Sequence, residues 1–411
     1  GMSARRVVVT GLGLATALGC DEESVWQGLA SGSTGIGRLA VSAAGDLPVR
    51  TAARVDDGAL AAGVAGLGRK SEDRALDMAL VVAAQALTGA GLWPAADRRP
   101  VATLFGTGMG PAATFYEAYR AFFGGGVKAL RPTTVPRAMY NSLSATLSLV
   151  FGLTGPNTTL VAACASSTQA IGEAFWRIRD GRAERVLAGG AEAFFNPLFF
   201  GAWSRLGVLS RNPDPAAACR PFDRDRDGTV LGEGAAAVVL EELQAARARG
   251  ARIRGEVVGF GESSDADHLT RPSVEGQAAA MREALATAGL PISEIAYVNA
   301  HGTATRQNDS AECRSLATVL GAAAERVPVG SSKSFFGHTL GAAGSIETVA
   351  TLLALERGWI PPNLNLERPD PECAVRLVGA TREPLAAPVA MKNSFGFGGS
   401  NAVLVLRRWE S

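Results

Sequence analysis

Short apolar runs rich in valine, each closing on small residues or glycine, recur along this 411-residue chain. Residues 6–9 (RVVV) lead into Thr10-Gly11-Leu12-Gly13, residues 101–105 into Gly106-Thr107-Gly108, and residues 160–163 into Cys164. Runs that are apolar throughout, rather than alternating, predict strands buried on both faces of a sheet. Glycine turns that hand each strand over to a helix predict α/β units. The order of these runs occurs twice. VVVTGLGL, VATLFGTGMG, TTLVAACASS, RVLAGGAEAF and GAAAVVLEEL come first, then GEVVGFGES, IAYVNAHGT, VPVGSSKSF, VAMKNSFGFGG and SNAVLVLRRW. We read an internal duplication with halves at 3–250 and 251–411. Any α/β protein repeats strand, glycine and helix, so spacing alone leaves both readings open.

Polar segments interrupt this pattern. Residues 242–252 (ELQAARARGAR) predict a helix end and connector between the halves, and residues 66–76 (GLGRKSEDRAL) the start of a surface helix continuing to Leu87. Residues 124–137, with three glycines and two prolines, predict an irregular excursion of the kind on which oligomer contacts are built. No run of about 18 uncharged apolar residues occurs, so no transmembrane helix is expected. The longest candidate, 340–355, is interrupted by Glu347. Val7–Val9 reads as a strand rather than a leader, Gly1-Met2 as the scar of a cleaved tag, and the expected location is the cytoplasm.

Composition narrows the function classes. Hydrophobic residues make up 47% and charged residues 19%, a globular composition. Forty Lys and Arg against 39 Asp and Glu leave a net charge of +1, so no global electrostatic attraction to nucleic acid or membrane is expected. The five cysteines are scattered and form no C-x-x-C pair, which argues against a disulfide framework or a cysteine zinc site. No metal is expected.

Four segments could carry chemistry. In Leu160-Val161-Ala162-Ala163-Cys164-Ala165-Ser166-Ser167 an apolar strand stops at Cys164 and a helix follows to about Arg179. A sulfur at a helix N-terminus meets unpaired N–H groups and the positive end of the dipole, which favour a thiolate nucleophile. A small buried hydrophobe fits the same segment. In Val298-Asn299-Ala300-His301-Gly302-Thr303-Ala304-Thr305 a strand ends on a histidine, at the edge where α/β sheets bind ligands. Lys333-Ser334-Phe335-Phe336-Gly337-His338 repeats that context before a Gly/Ala-rich helix. Each histidine alone fits a satisfied structural residue, whereas two in matching contexts with Cys164 shift the balance toward a Cys-His-His site, and His268 reads as outside it. Asn393-Ser394-Phe395-Gly396-Phe397-Gly398-Gly399 could expose backbone N–H groups as an oxyanion hole, or be a glycine-rich hairpin beside packed rings. A phosphate cradle is disfavoured, because there is no Walker lysine and no G-x-G-x-x-G in a βαβ unit.

Five ordered motifs, AACASS, RPFDRDRDGTVLGEGA, NAHGTATRQND, KSFFGHTLGAAG and NSFGFGGSN, resemble the thiolase-fold condensing enzymes, specifically the elongating β-ketoacyl-acyl-carrier-protein synthases. The resemblance covers essentially the whole chain. It implies an α/β thiolase-like fold of duplicated halves in five αβαβα layers, and an active acyltransferase of the 3-oxoacyl-carrier-protein synthase type in fatty-acid synthesis. By resemblance, Cys164 is the acyl-accepting nucleophile and His301 and His338 serve decarboxylation. Lys333 stands beside them with Glu312 as its salt-bridge partner, and Phe397 is the gate and supplies an oxyanion N–H. Thr303, Thr305 and Thr270 would bond the pantetheine arm, and Met109 would lie near the acyl pocket floor. Arg69, Lys70, Lys128 and Arg205 would face an acidic acyl carrier protein. No cofactor is implied, and the assembly would be a homodimer or a heterodimer. Departures from the family pattern are Thr229, Arg306-Gln307-Asn308-Asp309, Phe335-Phe336, and the aromatic pairs Phe194-Phe195 and Phe199-Phe200. They leave open a ketosynthase of a polyene or polyketide pathway. A non-catalytic partner subunit is the reading from another class.

Overall fold

The computed structural model describes residues 4–39, 47–94 and 99–410, so the reading of Gly1-Met2 lies outside the described residues. Ten strands form one sheet among the described residues. In the first half these are β1 (Val7–Ala15), β2 (Ala102–Gly106), β3 (Asn157–Leu160), β4 (Arg185–Glu192) and β5 (Gly234–Glu242). In the second they are β6 (Gly255–Ser264), β7 (Ile295–Asn299), β8 (Val329–Gly330), β9 (Val389–Phe395) and β10 (Ser400–Arg407). The order across the sheet is β8-β7-β9-β10-β6-β1-β5-β4-β2-β3. β1 and β6 meet antiparallel at the centre, Val7 opposite Val257. Counted outward from that seam, each half runs first, fifth, fourth, second, third strand. The pairings repeat too: two antiparallel, then two parallel on each side.

Seven helices matter to the site: α1 (Arg74–Gly89), α2 (Ala112–Gly125), α3 (Ser166–Arg179), α4 (Pro197–Arg205), α5 (Val274–Ala288), α6 (Arg306–Leu320) and α7 (Ala343–Arg357). α1 covers the outer face of β1, β4 and β5, whereas α5 covers β6 and β10 with α6 beside it. α3 and α7 lie between the halves and each touches strands of both. The layers therefore run αβαβα, as the resemblance implied. α7 shows why its sequence is apolar nearly all round: every residue from Ala343 to Leu355 is buried. Full burial of Ile346, Leu352 or Leu353 is worth about 1.5–3 kcal/mol each. The backbones of α3 and α7 approach closely at Gly344, where a Cβ would stand 2.0 Å from Thr168 Oγ1.

Local readings of the sequence meet local corrections. Residues 66–87 are not one helix. A helix over Asp57–Gly66 ends first, Gly68 turns the chain at φ +68°, and Asp73 restarts it by accepting the N–H groups of Ala75 and Leu76. The strand before Cys164 ends at Leu160 rather than Ala163, which is held at φ +48°. Residues 124–137 are more regular than expected, holding the end of α2, a 3-10 turn at Val127–Ala129 and a short helix at Thr134–Ala138. The connector helix spans Leu243–Ala248, with the Glu242 side chain accepting the Ala245 N–H at 2.8 Å.

Candidate active site

The site forms where strands of both halves end. Cys164 follows β3, His301 follows β7, His338 follows β8, and Phe397 follows β9. Cys164 Sγ and a ring nitrogen of each histidine all lie within 4.8 Å of one another. The two rings meet edge to face, centroids 5.3 Å apart. All three residues are buried and line a cavity of about 460 Å³.

The positive φ at Ala163 makes an elbow that sets Cys164 in the 3-10 turn Ala163–Ala165, directly before α3. The expected helix N-terminus is present, but the expected thiolate is not. Burial pushes the Cys164 thiol up to about 11, outweighing the Lys333 charge and the Phe397 N–H, both of which lower it. The resting sulfur carries its proton.

Both histidines are neutral. Burial and the Lys333 charge hold His301 and His338 well below the usual imidazole value, with Lys392 adding to both and His338 adding to the shift at His301. His338 Nδ1 accepts the Leu340 N–H at 3.3 Å. His301 Nδ1 lies 3.4 Å from the Lys333 ammonium, which can only donate. Both rings therefore keep their proton on Nε2, leaving two N–H donors for the cavity.

Lys333 differs from expectation in its partner. Its Nζ lies 2.6 Å from Glu347 Oε1 and donates to the His301 carbonyl oxygen at 2.6 Å. Glu312 is not in that pair. It accepts the backbone N–H groups of His301 at 2.7 Å and Gly302 at 2.8 Å, and an amide N–H of Asn393 at 3.2 Å. Glu312 sits on α6, which starts after the His301 loop and returns beneath it, whereas Glu347 sits on α7 inside the middle layer. Both carboxylates thus fix the His301 segment, one through Lys333 and one through its backbone.

Three further buried ionisable groups beside the site went unread in the sequence. Lys392, on β9, lies 3.7 Å from Glu347, and burial brings its pKa down to about 8. Glu347 is the charge that interrupts the apolar run 340–355, and Lys392 interrupts VAMKNSF; those interruptions were the available signals. Glu192, at the end of β4, accepts N–H groups from Gly108 (2.7 Å), Met109 (2.8 Å) and Gly341 (2.9 Å), so it ties the two halves together beside the site.

The remaining expected residues divide. Thr303, Thr305 and Thr270 all line the cavity, and Thr303 and Thr305 share a hydrogen bond at 2.8 Å. Phe397 lines it half-buried, stacked on Trp203. Met109 packs in the apolar cluster that contains Cys164. Of the cations, Arg205 sits on α4 between the cavity-lining Trp203 and Leu206. Arg69 and Lys70 lie in the 67–73 connection, Arg69 paired with Glu72 at 3.0 Å, and Lys128 lies in the turn after α2; none of the three lines the cavity. Arg271 and Arg306 do, as does the exposed His268, whose Nδ1 accepts the N–H groups of Thr270 and Arg271.

Comparison with known proteins identifies the family and the fold. Residues 4–246 match the beta-ketoacyl synthase N-terminal domain and residues 254–367 its C-terminal domain. The 3-oxoacyl-(acyl-carrier-protein) synthase 2 of Synechocystis sp. is 39% identical, with 99% of each chain covered, and that of Coxiella burnetii is 38% identical at the same coverage. Among solved structures, a beta-ketoacyl synthase from Burkholderia phymatum superposes with a TM-score of 0.91 at 36% identity, covering 99% of this chain and all of that one. The ishigamide ketosynthase/chain length factor superposes at 0.92 and 32% identity with the same coverage. The chain belongs to the beta-ketoacyl synthase family, as a condensing acyltransferase of the elongating 3-oxoacyl-(acyl-carrier-protein) synthase class.

Proposed function

We propose that Cys164, His301 and His338 carry out a decarboxylative condensation between an acyl thioester and a malonyl thioester, both delivered by an acyl carrier protein. The observation that carries this reading is the convergence of one thiol and a ring nitrogen of each histidine within 4.8 Å. In the first half-reaction Cys164 Sγ bonds to the acyl carbonyl carbon and the carrier's sulfur leaves with the thiol proton. A resting thiol suits that exchange, because the proton travels to the departing thiolate. In the second, the malonyl carbon–carboxylate bond breaks, carbon dioxide leaves, and the electron pair becomes an enolate. The Nε2–H groups of His301 and His338 meet the enolate oxygen; each preorganised donor is worth about 3 kcal/mol by analogy with other oxyanion sites. The enolate carbon then attacks the acyl carbon, the Cys164 sulfur departs as thiolate and takes up a proton from solvent, and a 3-oxoacyl thioester is released. No electron is gained or lost, and the donors meet the developing charge, so neither a redox cofactor nor a metal is required.

In this scheme the backbone N–H groups of Cys164 and Phe397 form the oxyanion hole, and Phe397 gates the cavity between the half-reactions. Gly398 and Gly399, both at positive φ, give the gate its backbone freedom. Lys333 and Glu312 are positioning residues. Thr303, Thr305 and Thr270 bond the pantetheine amides, with Met109 toward the floor. Arg205 faces the carrier beside the cavity, and Arg69, Lys70 and Lys128 are the further cations assigned to carrier contact. A solved relative, AntDE:AntF, is described as a ketosynthase in complex with its acyl-carrier protein, which supports this partner.

A homodimer is the proposed assembly, with halves divided near residue 250 descended from one duplicated unit. Among the described residues β3 is a sheet edge, and Val161 next to it and Leu149 on the helix packed against it are exposed, as is Phe123 on α2. No helix of the described residues is long and apolar enough to cross a membrane, and the cytoplasm is the proposed location. The test is intact-mass analysis after incubation with an acyl-carrier thioester. One acyl adduct, mapped by peptide digestion to Cys164, supports the proposal; an unmodified Cys164 with authentic carrier substrate overturns it.

A further inference from the structure

Any acyl group accepted by Cys164 sits beside the apolar cluster that packs the sulfur, and that cluster is aromatic. Cys164 packs in one cluster with Phe194, Phe200 and Leu340, flanked by Met109, Phe195, Phe199 and Trp203. Four phenylalanines fall within residues 194–200. Their rings interlock: Phe194 meets Phe195 edge on at 5.2 Å, Phe195 meets Phe200 at 5.8 Å and 80°, and Phe194 lies 6.5 Å from Trp203. Trp203 then stacks on the gate residue Phe397, with centroids 5.8 Å apart and planes 17° from parallel. Trp203 and Phe397 both face the cavity that reaches Cys164. A continuous row of rings thus leads from the packed interior beside the sulfur to its gate.

Such a wall discriminates by shape and stiffness. Aromatic side chains are flat plates with two torsions and prefer stacked or edge-on partners. A saturated acyl chain has a free rotor at each carbon–carbon bond, and immobilising those rotors opposes binding. A conjugated segment arrives with its rotors already locked and presents flat π faces. Resting on the reading of Cys164 as the acyl acceptor, we propose that this chamber selects acyl groups bearing a rigid, planar, conjugated segment over saturated groups of equal length, with Trp203 setting the preference. The parallel Trp203–Phe397 pair provides a flat face on the cavity wall, and the interlocked phenylalanines behind Trp203 keep that face from reshaping around a bent chain.

The test is a competition on the full-length enzyme. An eight-carbon saturated acyl group and its conjugated dienoyl counterpart, with the diene placed beyond the third carbon so that the thioester electrophile is the same, are offered on one phosphopantetheinylated carrier protein. The Cys164 adducts are counted by intact mass in a single turnover. The expected preference for the dienoyl chain is roughly 2- to 10-fold, the range of one aromatic contact. Trp203→Leu should bring the ratio toward one, Trp203→Phe should retain most of it, and Phe195→Leu should lower it. A wild-type ratio of one or below, or a ratio untouched in Trp203→Leu, overturns the inference. Saturated adducts without a dienoyl preference overturn only this inference; absence of both adducts overturns the acyl-acceptor reading as well.

Discussion

Lys333 and Glu347 form an ion pair 2.6 Å long with both side chains removed from solvent. It joins the His338 loop to the central helix α7, and through the His301 carbonyl it holds the second histidine as well. Removing one member of a buried pair strands the other charge, at a typical cost of about 3–5 kcal/mol. Glu347→Gln strands two, since Lys392 also faces that carboxylate at 3.7 Å. We expect a lower urea midpoint and a loss of decarboxylation, whereas an unchanged midpoint would show that the pair does not hold the core.

Acidity should act through the histidines. Their folded-state pKa values lie well below the ordinary 6.5, so the unfolded chain binds protons first as pH falls. The stability contributed by the neutral rings is present above 6.5 and is lost as pH falls from there through the folded values. Malonyl decarboxylation should accordingly stay flat from neutral pH to about 6.5, with its acid limb below the ordinary histidine value. Lys333→Met removes a charge that depresses both rings, so the limb should move upward. A wild-type limb at or above 6.5 contradicts the neutral-donor assignment.

The crossing of α3 and α7 leaves no room for a methyl group. In Gly344→Ala the new Cβ would meet Thr168 Oγ1 at 2.0 Å and its backbone N at 2.6 Å. Because α3 begins directly after Cys164 and α7 shortly after His338, separating them should loosen the Cys-His-His cluster along with the fold. Overpacking of this kind costs about 1–3 kcal/mol. Thermal melting and acyl labelling of Cys164 should both decline, and a variant with unaltered melting would show that the helices have slack there.

Exposed apolar side chains in the first half predict an oligomer. Leu149 is 83% exposed and Phe123 81%, a poor arrangement for an isolated chain in water. Leu149→Asp, alone or with Phe123→Asp, should shift the protein to monomers in sedimentation velocity. A wild-type chain already monomeric at micromolar concentration would contradict the proposed assembly.

Much of this architecture was legible because glycine and apolar runs are local signals. All ten sheet strands lie on or next to the runs read from the sequence, and Cys164, His301 and His338 each follow one. Partner choice was not legible. Glu312 and Glu347 are both buried acids on helices near the site, and only the packing of α6 beneath the His301 loop and of α7 through the middle layer decides which one reaches Lys333. The protonation state of Cys164 was misjudged for a related reason. A helix N-terminus can be read from a strand–Cys–small-residue pattern, whereas complete burial of the sulfur comes from Phe194, Phe200 and Leu340, distant in sequence. The helix break at Gly68 and Asp73 was visible as turn and cap chemistry within GLGRKSED, and the apolar spacing to Leu87 obscured it.

The division of labour between sulfur and imidazoles is tested most directly by Cys164→Gln, assayed in parallel for condensation and for release of carbon dioxide from malonyl-carrier thioester. The account predicts that 3-oxoacyl product disappears while carbon dioxide release persists, because His301 and His338 remain to hold the enolate. Retained condensation would contradict the nucleophile. In a variant shown to be folded, loss of both activities would contradict the separate role given to the two histidines.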